Sequence, residues 1–158
     1  MSAPRRLLVP DAVWQTTVEL LAPYAAARVE AGLYWYGTRT ETAAVVAQVG
    51  MPGQHNRSRN FEVGPDNLAT LVRAVPDPLV AVAALHTHPG VDTRHSTYDD
   101  ARAISRKVLS LVLPHYGAGA ALRDAGVHEW TGHGWVALAP SEAQDRLALI
   151  PALIDTRR

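Results

Sequence analysis

The chain has 158 residues, 47% apolar and 19% charged, which suits one globular domain (residues 1–158) able to bury its own core. Lys plus Arg equals Asp plus Glu, so the formal net charge is zero and no basic footprint for nucleic acid stands out. The lack of cysteine excludes disulfides, thiolate nucleophiles and cysteine-based zinc sites. No run approaches the ~18 apolar residues of a membrane span, so a soluble cytoplasmic protein without a membrane partner is the expectation.

Arg5–Arg6 and Arg157–Arg158 read as solvated tails. From Asp11 onward, Trp14, Val18, Leu21 and Ala25 recur at helical spacing and predict a first amphipathic helix. GLYWYG (32–37) and TAAVVAQVG (42–50) read as strands joined by a polar turn at Thr38 to Glu41. The turn-rich stretch 51–60 predicts a loop, followed by a brief strand at 61–63 and a helix from Asp66 to about Val75, stopped by Pro76 and Pro78. LVAVAALHTH (79–88) reads as a buried central strand. Ser96 then opens a helix to about Lys107, and VLSLVL (108–113) returns as a strand. The segment PHYGAGAALRDAG (114–126) is flexible by composition. Residues 127–131 and 135–139 predict a hairpin, and Ser141 with Gln144 forms a capping box for a last helix. Strands and helices alternate around one sheet, which makes the class α/β or α+β.

The dense chemistry lies in HTHPGVDTRHSTYDD (86–100). Side chains two apart on a strand share a face, so His86 and His88 project together and Thr87 opposite. Pro89 and Gly90 break the strand there, which puts the pair at its C-terminal mouth. Asp99, one helical turn after Ser96, is the best-placed third ligand. Two imidazoles and one carboxylate leave a fourth tetrahedral position open, the donor set of a catalytic zinc.

Blander readings compete. Ser96-x-x-Asp99 is also a capping-box pattern, compatible with ligation, and an isolated HxH is a weak signal. His128-Glu129 with His133 resembles HExxH but is one residue too long, and a zinc deaminase would need cysteines. Asp92, His95 and Asp100 read as loop or helix-surface residues, and His55, His115, His128 and His133 as structural ones.

Taken together, His86, His88, Pro89, Ser96 and Asp99 resemble the JAMM (MPN+) metalloprotease signature, HxHPx6–7SxxD, without gap or substitution. That family pairs the signature with an upstream glutamate beside a glycine-bounded hydrophobic strand, and VEAGLYWYG offers Glu30, with Glu41 the other acidic residue nearby. The resemblance spans roughly residues 11–140 and implies an α/β/α sandwich around a mixed sheet, of the cytidine-deaminase-like type. It implies one catalytic Zn2+ held by His86, His88 and Asp99, with Glu30 as proton shuttle and Ser96 as oxyanion donor. The implied activity is that of an isopeptidase or peptidase acting on a ubiquitin-like (β-grasp) protein or its conjugates, as in bacterial relatives. Activating and conjugating (E1/E2-like) proteins of the same system are implied partners. Processing of a sulfur-carrier protein is an alternative, as is a non-catalytic scaffold of the same fold. A Gly-rich tail would reach the metal past Gln54 to Asn60, which carries Arg57 and Arg59, and past the glycine-rich stretch 117–126.

Overall fold

The computed structural model describes residues 2–103 and 105–151; the expected tail at Arg157–Arg158 lies outside the described residues. The described chain is a mixed α/β structure built on an eight-stranded sheet with four α-helices. Strands β1 (Arg6–Pro10), β2 (Gly32–Arg39), β3 (Ala43–Gly50), β6 (Val80–Thr87), β7 (Leu109–Leu113), β8 (Gly126–Trp130), β9 (Trp135–Ala137) and β10 (Leu147–Ile150) form it in the order β10-β1-β3-β2-β6-β7-β8-β9. A separate two-stranded ribbon joins β4 (His55–Asn56) to β5 (Phe61–Glu62). The helices are α1 (Asp11–Ala27), α2 (Pro65–Arg73), α3 (Thr97–Arg102) and α4 (Pro140–Arg146). None of the described helices is long and apolar enough to cross a membrane.

The centre of the sheet explains the apolar runs. β6 pairs antiparallel with β2 and parallel with β7, so it lies inside the sheet, and five of its eight residues are buried. Strands buried on both faces lose the alternation of an exposed sheet and read as continuous Val, Ile, Leu and Ala. In β7 every residue is buried.

Trp35 fixes where α1 sits. Its indole N–H donates to Thr17 Oγ1 at 2.9 Å, Thr17 in turn donates to the Val13 carbonyl at 2.8 Å, and Trp14 meets the Trp35 ring edge-on. The buried residues of α1 are Val13, Thr17 and Leu21; of the expected stripe Leu21 is buried, and Trp14, Val18 and Ala25 are half-buried. A buried threonine is invisible to a hydrophobic pattern, yet here it is the acceptor that a buried indole requires.

Several expectations need correction. Arg6 opens a strand instead of a solvated tail, since Leu7 and Val9 are fully buried and β1 pairs in parallel with both β3 and β10. β10 itself, LALI (147–150), follows α4 without a linker and was not expected. α4 begins at Pro140 with Glu142 accepting from the Ala139 N–H at 3.0 Å, so the Ser141/Gln144 box is not what caps it. The helix at Ser96 ends at Arg102, well short of Lys107. Within the expected loop 51–60 lies the first strand of the small ribbon.

The stretch 114–126 is ordered. It makes two 3₁₀ turns, buries Gly117, Leu122 and Ala125, and holds His115 and Tyr116 at positive φ (53° and 57°). Such non-glycine conformations persist only where surrounding contacts over-determine them. The contacts are on hand: the Tyr116 N–H donates to the His88 carbonyl at 2.7 Å, the His115 N–H to that of Gly90 at 3.0 Å, and the Tyr116 hydroxyl to that of Ser58 at 3.0 Å.

Replacing Thr17 with Val keeps the shape but strands the Trp35 N–H in the core. A loss of about 1–3 kcal/mol is expected, read from urea melts with an unchanged m-value. A neutral substitution would mean that the indole finds another acceptor.

Candidate metal centre

The mouth of β6 is assembled by backbone bonds from three directions. Thr87, whose side chain points away from the histidines, accepts from the Ala31 N–H through Oγ1 at 3.0 Å, while its own N–H donates to the Ala31 carbonyl at 3.1 Å. The His88 N–H donates to the Leu113 carbonyl at 2.9 Å, which ties the mouth to the end of β7. Gly32 lies opposite His86 in the β2–β6 register. A Cβ on Gly32 would fall 2.3 Å from the Phe61 ring, so only glycine lets that ring settle beside His86, with ring centroids 6.1 Å apart.

Glu30 arrives at this mouth directly before the Ala31–Thr87 exchange. Its N–H donates to the Arg57 carbonyl at 2.8 Å and its carbonyl accepts from the Asn56 side-chain amide at 2.8 Å. The β4–β5 ribbon thus clamps the backbone on both sides of the carboxylate. Glu30 is buried, 4% exposed. Glu41, the other acidic residue nearby, sits exposed in a bend.

α3 supplies Asp99. The Asp99 N–H donates to Ser96 Oγ at 3.1 Å and the Ser96 N–H donates to Asp99 Oδ2 at 2.7 Å, a complete capping box. The cap orients the same carboxylate toward the histidines. His88 Nε2 lies 3.2 Å from Asp99 Oδ2, His86 Nε2 lies 3.4 Å from Asp99 Oδ1, and the two Nε2 atoms are 3.2 Å apart. Capping and convergence are one arrangement.

The donor set fits a small cation. Zinc bonds of 2.0–2.2 Å to nitrogen and oxygen at tetrahedral angles put neighbouring donors about 3.3–3.5 Å apart. The two Nε2 atoms found here are 3.2 Å apart, and each faces a different oxygen of the Asp99 carboxylate, His88 at 3.2 Å and His86 at 3.4 Å, so the three side chains converge on one point. His86, His88 and Asp99 are the one group of three or more such residues among the described residues that could hold a metal ion. His88 Nδ1 lies 2.8 Å from the Asp92 carbonyl, an acceptor only, so that nitrogen carries a proton and Nε2 is the ring nitrogen that would face a metal. Such outer bonds fix the tautomer of a metal-binding histidine.

Electrostatics agree with a site built for positive charge. Burial would raise the Asp99 carboxyl, but hydrogen bonds from His86 and His88 outweigh it and hold Asp99 well below the ordinary carboxylate range. Burial likewise pulls His88 down, and its bonds to Asp99 and to the Asp92 carbonyl turn the net shift upward. Glu30 behaves differently. Desolvation pushes it up to about 7, with His88 and Arg59 opposing and Asp99 assisting.

The remaining candidates separate cleanly. Asp92 is exposed and paired with the Arg94 guanidinium at 2.8 Å; only its carbonyl serves the site. His95 lies in the loop before α3, as expected from sequence, but its side chain is turned inward. Its side chain is 6% exposed, with Nδ1 2.8 Å from Asp100 Oδ1 and Nε2 2.8 Å from Ser110 Oγ. It stacks on His128 with centroids 3.9 Å apart and planes 16° from parallel, and its N–H donates to His128 Nε2 at 3.2 Å. Burial, then the proximity of His95, lower His128 to about 4. Glu129 of the near-HExxH string is bound by Arg146 in a two-pronged pair at 2.9 Å, which commits it to the fold. Sequence reasoning missed His95 because its partners, Ser110 and His128, come from strands that no local spacing connects to it.

No protein-family model matches the chain, and no curated protein does. Among solved structures, 137 chains match its backbone. One is the solution structure of protein DSY2949 from Desulfitobacterium hafniense, with a TM-score of 0.69 at 18% identity, covering 93% of this chain and 94% of that one. At that identity the likeness shows a shared fold, and a fold with so many members assigns no function by itself.

The buried Glu30 carboxyl generates a pH dependence in the metal-free protein. The fold favours its protonated form, so its contribution to stability is full below about 4.5 and is withdrawn as the pH rises through about 7. Glu30→Gln should flatten the stability profile across that window, measured by urea melts at stepped pH. An unchanged slope would show that the carboxyl is not desolvated.

Proposed function

We propose that the chain is a zinc-dependent hydrolase of the JAMM (MPN+) type, on a cytidine-deaminase-like version of its α/β fold, that cleaves a peptide or isopeptide bond. The observation that carries this reading is the convergence of His86, His88 and Asp99 beside a buried carboxyl whose pKa is raised to about 7. The matching HxHPx6SxxD string supports it.

Each residue has a task in this reading. His86, His88 and Asp99 hold the ion. When bound, zinc supplies a Lewis acid that brings the pKa of water from 15.7 toward about 7. Glu30, with a pKa of about 7, takes the proton from the attacking water and returns it to the leaving amine. Ser96 Oγ already accepts from the Asp99 N–H, so its hydroxyl hydrogen is free to donate to the developing oxyanion at the substrate carbonyl. Ser96 is exposed, as a group that meets substrate must be.

The substrate class proposed is a ubiquitin-like protein of the β-grasp type, or its conjugates, in a bacterial cytoplasm with its E1/E2-like partners; sulfur-carrier processing is the closest variant. Arg57 and Arg59 are exposed on the loop that clamps Glu30, where a docked body would meet them. A scaffold role would leave the neutral-range Glu30 without a task.

Purified protein should hold about one zinc per chain by elemental analysis, and His88→Ala should lose it. Full zinc occupancy in a His86→Ala, His88→Ala double variant would rule out the centre. Glu30→Gln should keep both zinc and fold while losing turnover of a ubiquitin-like fusion, and near-normal turnover would make another group the base. Ser96→Ala should slow turnover by about 10²–10³. It also removes a cap worth about 0.5–2 kcal/mol, so melts must be run beside the kinetics.

A further inference from the structure

The sheet places a second feature one step from the metal ligands. Moving two residues along each strand from the row Gly32–His86–Val112 keeps the same face and reaches Tyr34, Ala84 and Ser110, which are register partners across β2, β6 and β7. Two residues of strand span roughly 6.6 Å, about the length of two residues of extended substrate. Over this row lies a cavity of about 370 Å³ that also touches His86 and Asp99. Phe61, Leu68 and Trp135 supply its apolar walls, and Ala84 leaves the middle of its floor low. The rim is spanned by the Arg102–Glu62 ion pair at 2.9 Å, from α3 to β5.

One polar group on the floor has a fixed polarity. Asp100 accepts from His95 Nδ1–H, so neutral His95 presents a lone pair at Nε2. The Ser110 hydroxyl hydrogen is therefore spent on His95 at 2.8 Å, and Ser110 Oγ offers only acceptor capacity to the cavity. Apolar walls with an acceptor at the floor suit a bulky side chain carrying one donor.

We propose that this cavity is a specificity pocket that takes a tyrosine-like aromatic side chain of the substrate residue beside the scissile bond, its hydroxyl donating to Ser110 Oγ. Recognition rests on the metallopeptidase reading above, since the pocket gains its meaning from sharing His86 and Asp99 with the cleavage site. It departs from a tail made only of glycine, which would leave the chamber empty. His95, Asp100 and His128 act here as positioning residues for Ser110.

The test uses zinc-loaded protein and blocked glycine peptides carrying Gly, Phe or Tyr at the residue before or after the scissile bond. Tyrosine at one of these positions should raise kcat/KM about 10- to 100-fold over glycine, the scale of burying one large apolar side chain. Tyrosine should exceed phenylalanine by about fivefold, the scale of one hydrogen bond. Ser110→Ala should erase the tyrosine–phenylalanine difference while keeping the preference for bulk. Ala84→Phe, which fills the floor, should bring the ratio of bulky to glycine substrate to about one with zinc content unchanged. Should Ala84→Phe fail to fold, Ser110→Ala still decides. Binding of N-acetyl-tyrosine amide to the Glu30→Gln protein, read by tryptophan fluorescence, separates pocket from chemistry. Saturable binding, weakened by Ser110→Ala, with no hydrolysis of any peptide would uphold the pocket and overturn the hydrolase reading. Hydrolysis indifferent to side chain, with no amide binding, would overturn the pocket and leave the hydrolase. Neither binding nor hydrolysis would overturn both.

Discussion

The antiparallel pairing of the start of β2 with the end of β6 is the constraint on which the site depends. Gly32 must face His86, and Ala31 must exchange two bonds with Thr87, for Glu30 to stand at the strand mouth. The same pairing sets Tyr34 beside Ala84, which makes the floor of the adjoining cavity. Thr87 is the pivot: its alternate direction on the strand frees His86 and His88 for the opposite face, and its hydroxyl fills the one backbone valence that β2 leaves open at Ala31. A shift of one residue in this register would carry both histidines to the α1 side of the sheet.

Concentrating imidazoles and carboxylates at a half-buried mouth has an electrostatic cost that the local structure offsets. Asp99 draws on the Ser96 N–H and on both histidines, and it remains ionised at the expense of their freedom. Glu30 receives no such support, so burial governs it and leaves it poised near neutrality. Two carboxylates at one site are thus pushed in opposite directions by their surroundings, the usual way to divide holding charge from moving protons. The capping box shows that a structural and a functional reading of one tetrapeptide need not compete, because the bonds that start α3 are those that aim the Asp99 carboxylate.

Much of this was legible in the sequence, for identifiable reasons. HxH on a strand, a break at Pro89–Gly90 and Ser96-x-x-Asp99 act through local geometry, and local geometry is what spacing encodes. The central strands announced themselves by continuous apolar composition, and the hairpin of β8 and β9 by Gly132 and Gly134. What was not legible depends on distant partners. β1 and β10 are short and recognise each other across nearly the whole chain, so Arg5–Arg6 read as a tail and neither strand stood out. Thr17 and His95 are polar residues made internal by Trp35, Ser110 and His128, none of them near in sequence. The segment 114–126 has a loop's composition yet is held rigid by bonds to Ser58, His88 and Gly90.

Glu30 stands between these cases. Its position before a glycine-bounded strand suggested it, whereas its burial and its raised pKa follow from Asn56 and Arg57, which fix its backbone from the β4–β5 ribbon. The central claim is that three side chains from β6, its exit and α3 make one metal site. Diffraction from zinc-soaked crystals at the zinc absorption edge addresses it most directly. The expected result is a single strong anomalous peak within about 2.0–2.2 Å of His86 Nε2, His88 Nε2 and an Asp99 carboxylate oxygen. A map with no peak at these three atoms, or with zinc seated on other residues, would contradict it.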